Sequence, residues 1–171
     1  MARLKGARRN KWSVTSVGIT KMQTYFDTSF VLKTYIQEAQ TPEAIAIIRT
    51  EATPLPFSHI LEIELRTAIR NQQGRGEITA ATLRSTLQSV ESDLASGVLA
   101  RPEYDLETVY RRAETLSAKH AAATLCRSAD ILHIASALES GCTAFASFDE
   151  RQRKVAALAG LKLIPAKIKK T

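Results

Sequence analysis

Short apolar runs alternate with longer amphipathic segments along the chain. The runs with the length and composition of strands are 22–27, 98–100 (the weakest), 143–146 and 161–164. Helical spacing of apolar residues predicts helices at 28–37, 41–52, 58–71, 79–94, 105–118, 128–140 and 150–159. Ser58, Asp105 and Ser128 are the predicted caps of their helices, and 72–76 is a predicted loop. Strands separated by helices are typical of a parallel sheet covered on both faces, so the sequence predicts an α/β fold.

Length and composition indicate one folded domain. The chain has 171 residues, of which 44% are hydrophobic, which is enough to bury a core. No apolar stretch approaches the roughly 20 residues that span a bilayer, and no signal peptide is expected. Cys126 and Cys142 are isolated, which favours reduced thiols in a cytoplasmic protein over a disulfide framework.

The positive charge is concentrated at the two ends of the chain. The net charge is +7, but residues 1–21 contain six Lys or Arg residues and no acid, so the other 150 residues carry only +1. The sequence therefore divides into a basic extension (1–21), a domain (22–165) and a basic tail (166–171). Two interpretations of the extension remain open: a disordered arm that attracts nucleic acid, or an over-long start before the domain.

Three aspartates are predicted to meet at one edge of the sheet. Asp27 ends the predicted strand at 22–27, and Asp149 follows 145–148 at the same end of its own strand. Between Asp130 and Asp149, a helix of about 12 residues descends about 18 Å and a strand returns about 17 Å, so both lie at the level of Asp27. Each one alone is more simply explained as a helix cap. Together they would repel one another unless a cation intervened, which favours a metal site.

A fourth carboxylate comes from the helix predicted at 58–71, where Glu62 and Glu64 flank the apolar stripe almost symmetrically. Glu62 has Arg66 four residues later, which is the usual spacing of a solvated surface pair. Glu64 has Ala68 at that spacing and is the freer group, so Glu64 is the better candidate.

Four carboxylates are hard oxygen ligands, which suggests Mg²⁺ or Mn²⁺ and phosphodiester chemistry. The three histidines and two cysteines show no zinc-ligand spacing, and there is no G-x-S-x-G motif or glycine-rich phosphate loop. His133, one turn after Asp130, is predicted to be a partly buried histidine with its hydrogen bonds satisfied rather than a catalytic group.

The ordered set of acidic motifs resembles a PIN domain, specifically a VapC-type toxin of a type II toxin–antitoxin pair. The resemblance covers about Met22 to Ile164, and the basic extension departs from it. The matching segments are 25–32 (YFDTSFVL), 58–68 (SHILEIELRTA), 128–138 (SADILHIASAL) and 145–149 (FASFD), continuing to Gly160-Leu161.

The resemblance implies a three-layer α/β/α sandwich with a central parallel sheet and a metal-dependent endoribonuclease that cleaves RNA with metal-activated water. It implies a homodimer and a cognate antitoxin that inserts a segment into the acidic groove, and Ile63, opposite the apolar stripe of its helix, is an independent hint of a contact surface. Two alternatives remain open: a PIN nuclease of RNA maturation outside toxin–antitoxin systems, and an inactive PIN module that only binds.

The site residues implied by the resemblance fall into three groups. Asp27 and Asp130 would be the principal ligands of Mg²⁺ or Mn²⁺, and Glu64 and Asp149 would complete the site directly or through water. Ser29 and Ser147 occupy the supporting positions of their motifs. On their charge and loop location, Arg70 and Arg75 are weaker candidates for contacts with the RNA backbone.

Overall fold

The computed structural model describes residues 24–51 and 54–168. Its strands are β1 (Thr24–Phe26), β2 (Leu55–Pro56), β3 (Leu99–Ala100), β4 (Ala144–Ala146) and β5 (Lys162–Ile164). Its helices are α1 (Thr28–Tyr35), α2 (Thr41–Ile48), α3 (His59–Gly74), α4 (Ala80–Ala95), α5 (Leu106–Thr124), α6 (Ser128–Glu139) and α7 (Glu150–Leu158). No helix in these ranges is long and apolar enough to cross a membrane.

The central sheet is parallel, with the strand order β1-β4-β5. Tyr25 lies opposite Phe145, which lies opposite Leu163. A second parallel pair joins β2 to β3. The ladder continues one residue beyond β1, because Asp27 N donates to Ala146 O at 3.0 Å. This bond fixes Asp27 at the carboxyl end of the sheet.

Successive strand residues point to opposite faces, and each face carries its own core. Tyr25 and Phe145 pack with α5, α6 and α7, and their rings stack with centroids 5.6 Å apart. Phe26 and Ala146 pack on the other face with residues from α1, α2, α3 and α4. Helices on both faces of a parallel sheet form a three-layer α/β/α sandwich, so the predicted fold class is confirmed.

Two helices are longer than the sequence predicted. The expected loop at 72–76 is wrong in its first half, because α3 continues to Gly74 and ends at Arg75. Gln72 is buried, and its amide donates to Glu38 at 3.2 Å, which holds the last turn of α3 in place. Helix α5 extends beyond the predicted end at 118 to Thr124, because the run 121–123 is all alanine, the best helix former.

Two helix boundaries were also placed wrongly. Ser128 is the first residue of α6 rather than its cap; Arg127 holds the cap position, and its backbone N–H donates to Asp130 at 3.3 Å. Helix α2 ends at Ile48, short of the predicted 52, which lies outside the described residues. The basic extension at 1–21 and the last three residues of the predicted tail also lie outside them.

Candidate functional site

A cleft of about 470 Å³ opens at the carboxyl ends of β1 and β4. Asp27, Glu64, Asp130 and Asp149 all line this acidic cleft, which brings together side chains from the ends of β1 and β4 and from α3 and α6. The other lining residues are Thr28, Ser29, Leu32, Ile63, Thr67, Ala68, Asn71, His133 and Gln152. The structure thus brings all four predicted carboxylates to one place, and their catalytic role stays a prediction.

Asp27 is the most buried of the four acids, with 4% of its surface exposed. Its Oδ1 accepts from the backbone N–H of Phe30 at 2.7 Å, which caps α1. Ser147 donates to Oδ2 at 2.6 Å, and the Ser29 hydroxyl lies 3.0 and 3.1 Å from the two oxygens. Burial raises the pKa of Asp27 even though these hydrogen bonds oppose the shift. The two predicted supporting serines therefore both hold the Asp27 carboxylate.

Ser147 connects Asp27 to the start of α7. Besides donating to Asp27, its hydroxyl accepts from Asp149 N at 3.0 Å and lies 2.8 Å from the side-chain oxygen of Gln152. Because a hydroxyl has one hydrogen, Ser147 serves only one of its two acceptors at a time. Asp149 itself is exposed and caps α7, with Oδ1 accepting from the backbone N–H groups of Arg151 and Gln152.

The raised pKa of Asp130 reflects, in part, repulsion between the acids of the cleft. Burial raises its pKa most, and the negative charges of Asp149 and Glu64 raise it further, against the hydrogen bond from Arg127 N and the favourable charge of His133. Like charges gathered in a half-buried site favour the binding of a cation or a proton. Capping and clustering thus occur together: Asp27 and Asp149 each cap a helix, Asp130 accepts from the backbone N–H of the cap residue Arg127, and all three line the same cleft.

Glu64 is less free than the sequence suggested. Its Oε2 accepts from Thr28 Oγ1 at 2.6 Å and from His133 Nε2 at 2.7 Å. The His133 hydrogen bond is the main cause of a lowered pKa for Glu64, so this carboxylate is ionised at neutral pH. Glu64 has no charge partner one turn along α3, as predicted, but the sequence did not predict the partners that come from α1 and α6.

Glu62 forms the pair with Arg66 that its spacing predicted, but its side chain is only 20% exposed rather than fully solvated. It accepts from Arg66 at 2.9 Å and also from Arg101 at 2.7 Å, and it does not line the acidic cleft. Burial alone would raise its pKa, but the hydrogen bonds of the two arginines outweigh burial and lower it. The two neighbouring glutamates of α3 thus have separate environments.

The predicted RNA contacts Arg70 and Arg75 lie outside the lining of the cleft. Both are exposed, and Arg75 forms a two-bond pair with Glu77 at 2.7 and 2.9 Å. A contact between Arg75 and a phosphate would have to displace Glu77. The predicted role of these two arginines stays untested.

Several polar side chains of the cleft were not predicted from the sequence. Thr67 and Asn71 follow Glu64 at the i+3 and i+7 positions of one face of α3, so helical periodicity was a usable signal. Thr28 directly follows Asp27 and donates to Glu64. Gln152 has no signal beyond its place in the first turn of α7.

The acidic cleft offers oxygen ligands of the kind that hard divalent cations prefer. The carboxylates offer oxygen atoms only, and their mutual repulsion is of the kind that a cation relieves. Within residues 24–51 and 54–168, however, no group of three or more His, Cys, Asp or Glu side chains could together hold a metal ion.

Lowering the pH should narrow the difference in stability between the metal-free wild type and Asp27→Asn. Because burial raises the pKa of Asp27 above its ordinary value of 3.8, the group binds a proton more tightly in the folded state than in the unfolded state. Ionised Asp27 therefore costs folding free energy at neutral pH. This cost disappears as the pH falls through the pKa that Asp27 has in the folded state. The neutral amide of Asp27→Asn has no such cost at any pH. Urea unfolding in EDTA from about pH 7 to about pH 4 measures the difference, and a constant or widening gap would contradict this prediction.

Comparison with known proteins adds one match. The family profile described as the PIN domain matches residues 24–158, which includes every element from β1 to α7. No curated protein matches the chain significantly.

Proposed function

The chain belongs to the PIN domain family, generally a nuclease fold whose members usually need a divalent metal, and we propose that it is the toxin of a type II toxin–antitoxin pair. In this proposal it is a VapC-type endoribonuclease that depends on Mg²⁺ or Mn²⁺ and acts on RNA in the cytoplasm. The observation that carries the proposal is the convergence of four carboxylates from four parts of the fold on one cleft. The catalytic domain is proposed to be 22–165.

The four acids of the cleft would have different roles in binding the metal ion. Asp27 and Asp130 would hold the ion directly, and Glu64 and Asp149 would complete the site directly or through water. Such an ion, when bound, lowers the pKa of water and offsets charge on the phosphoryl oxygens. Ser29 and Ser147 fix the orientation of the Asp27 carboxylate through the hydrogen bonds described above. Glu64, ionised and held on one oxygen, presents its charge at the mouth of the cleft.

An antitoxin and a second copy of the chain are the proposed protein partners. Ile63 is 59% exposed and lines the cleft beside Glu64. An exposed isoleucine next to an acidic cleft supports a binding surface in which an apolar contact flanks a charged one. A segment that occupies this surface would cover the site and inhibit it.

Mapping of RNA 5′ ends in cells tests the proposal. Expression of the wild type should produce new ends at one discrete site, and expression of Asp27→Asn should not. Identical end maps would show that the protein is not a ribonuclease under these conditions and would overturn the proposal. Coexpression of the gene immediately upstream distinguishes a toxin from a nuclease of RNA maturation. Only if the protein is a toxin should the cells that express it regain normal growth when the antitoxin is present.

A further inference from the structure

A buried hydrogen-bond network leads from the acidic cleft into the core. Its members are Glu64, His133, Tyr25 and Ser58, which belong to α3, α6, β1 and the cap of α3. His133 Nε2 lies 2.7 Å from Glu64 Oε2, His133 Nδ1 lies 2.8 Å from the Tyr25 hydroxyl, and that hydroxyl lies 2.5 Å from Ser58 Oγ. The three inner side chains are at most 1% exposed. His133 is thus fully buried, more so than the sequence predicted.

The donors and acceptors set the direction of the bond at the Glu64 end. An ionised carboxylate has no hydrogen, so Nε2 of His133 must carry the hydrogen and donate it to Glu64. In the neutral ring Nδ1 then accepts from the Tyr25 hydroxyl, which in turn accepts from Ser58. Ser58 Oγ also accepts from the backbone N–H of Leu61 at 3.2 Å, so the network ends on the first turn of α3.

We propose that His133 is a positioning residue that holds the Glu64 carboxylate in its working orientation, an inference that rests on the function proposed for the cleft. The His133 ring is fixed from behind by the Tyr25 hydroxyl, which is itself held by Ser58. Thr28 donates to the same Glu64 oxygen, and no hydrogen bond within the described chain engages the other oxygen, Oε1. Holding Oε2 on the protein side leaves Oε1 available to the cleft.

The arrangement differs from that of a histidine that only fills the core. A core histidine needs partners for its two nitrogens, and backbone carbonyls or other buried groups supply them. The outer nitrogen of His133, Nε2, instead bonds to the Glu64 carboxylate, which is 34% exposed and lines the cleft. Among the described residues, every buried side-chain nitrogen and oxygen atom has a hydrogen-bond partner, so the network leaves none of its own atoms unsatisfied.

Two substitutions of His133 separate positioning from packing. In His133→Gln the side-chain amide nitrogen reaches the place of Nε2 and still donates to Glu64. In His133→Asn the shorter amide reaches only the place of Nδ1, so Glu64 loses the donor from α6 and keeps only Thr28, while Tyr25 keeps a partner. Both variants put a neutral amide in the same buried position, which makes each the control of the other.

The expected result is a loss in His133→Asn and retention in His133→Gln. With the full chain, His133→Asn should weaken Mn²⁺ binding and lower kcat by about 10- to 100-fold, as for other residues that orient metal ligands, with little change in the KM for RNA. His133→Gln should stay near the wild type in both. Equal losses in the two variants, in proportion to their losses in Tm, would overturn the proposal, because packing alone would then explain them.

An NMR measurement tests the same inference without any nuclease activity. In the metal-free wild type, ¹⁵N correlations of the His133 ring should place a hydrogen on Nε2, whether or not Nδ1 is also protonated. Tyr25→Phe removes the hydroxyl that donates to Nδ1. The preference of the neutral His133 ring for a hydrogen on Nε2 should therefore be weaker in this variant. A bare Nε2 with the hydrogen on Nδ1 would overturn the inference. If the wild type cleaves no RNA, the proposed function fails, while the Mn²⁺ affinities and the ring spectra still decide the role of His133.

Discussion

Asp27→Asn should lower metal-dependent RNA cleavage about a thousandfold without unfolding the protein. A divalent ion contributes several kcal/mol of charge stabilisation, and each 1.36 kcal/mol is worth tenfold in rate, so losing an anionic ligand has an effect of this size. The substitution keeps the shape of the side chain and removes its charge. Single-turnover cleavage of a defined RNA, with Mg²⁺ and with EDTA, measures the change.

The surroundings of Asp27 can accommodate the amide. Its remaining oxygen can still accept from Phe30 N, so the cap of α1 is kept. The new NH₂ group would face Ser147, whose hydroxyl can turn its hydrogen to the Gln152 side-chain oxygen 2.8 Å away. Because burial of the ionised carboxylate is unfavourable, the free energy of unfolding of Asp27→Asn at neutral pH should be higher than that of the wild type.

Asp105→Asn is the matched control for this prediction. Asp105 is also an N-cap aspartate, with Oδ2 accepting from Thr108 N at 3.1 Å, but it caps α5 and does not line the cleft. The control makes the same change of charge at the same kind of helix position and should cleave RNA like the wild type. Cleavage unchanged in Asp27→Asn, or lost equally in the control, would remove Asp27 from the metal site.

The features that the sequence predicted correctly are those set by local pattern and by strand geometry. Asp27 and Asp149 follow strands of a parallel sheet, and the lengths of α6 and β4 bring Asp130 to the same edge. The ends of parallel strands are also where the following helices begin. One aspartate can therefore cap a helix with one oxygen and still face the cleft, so capping does not count against a place in the cleft, and the metal site stays a prediction.

The features that the sequence did not predict depend on packing between distant elements. The contact of Glu64 with His133 joins α3 to α6 across 69 positions, and no spacing along either helix signals it. The length of α3 depends on the bond from Gln72 to Glu38, which lies between α1 and α2. By contrast, the pairing of Arg75 with Glu77 was readable from charges two residues apart, and it weakens the case for Arg75 as an RNA contact.

Glu64→Gln should lower cleavage about a hundredfold, whereas Glu62→Gln should leave it unchanged. The two variants remove the same charge from positions two residues apart on α3, so any general effect of charge on RNA binding is equal in both. Only Glu64 lines the cleft and is held there by Thr28 and His133. Loss of a group that completes or orients a metal site typically costs 10- to 100-fold, and Glu64 is placed for the upper end of that range.

Glu62→Gln should instead lower the free energy of unfolding. Glu62 pairs with Arg66 and Arg101, and breaking such surface pairs typically costs at most about 1 kcal/mol of unfolding free energy. Single-turnover cleavage and urea unfolding of both variants, at two salt concentrations, measure the two effects. Equal losses of cleavage would mean that α3 contributes only its overall charge. A larger loss in Glu62→Gln would mean that the pairing of Glu62 with the two arginines, rather than the acidic cleft, positions the RNA.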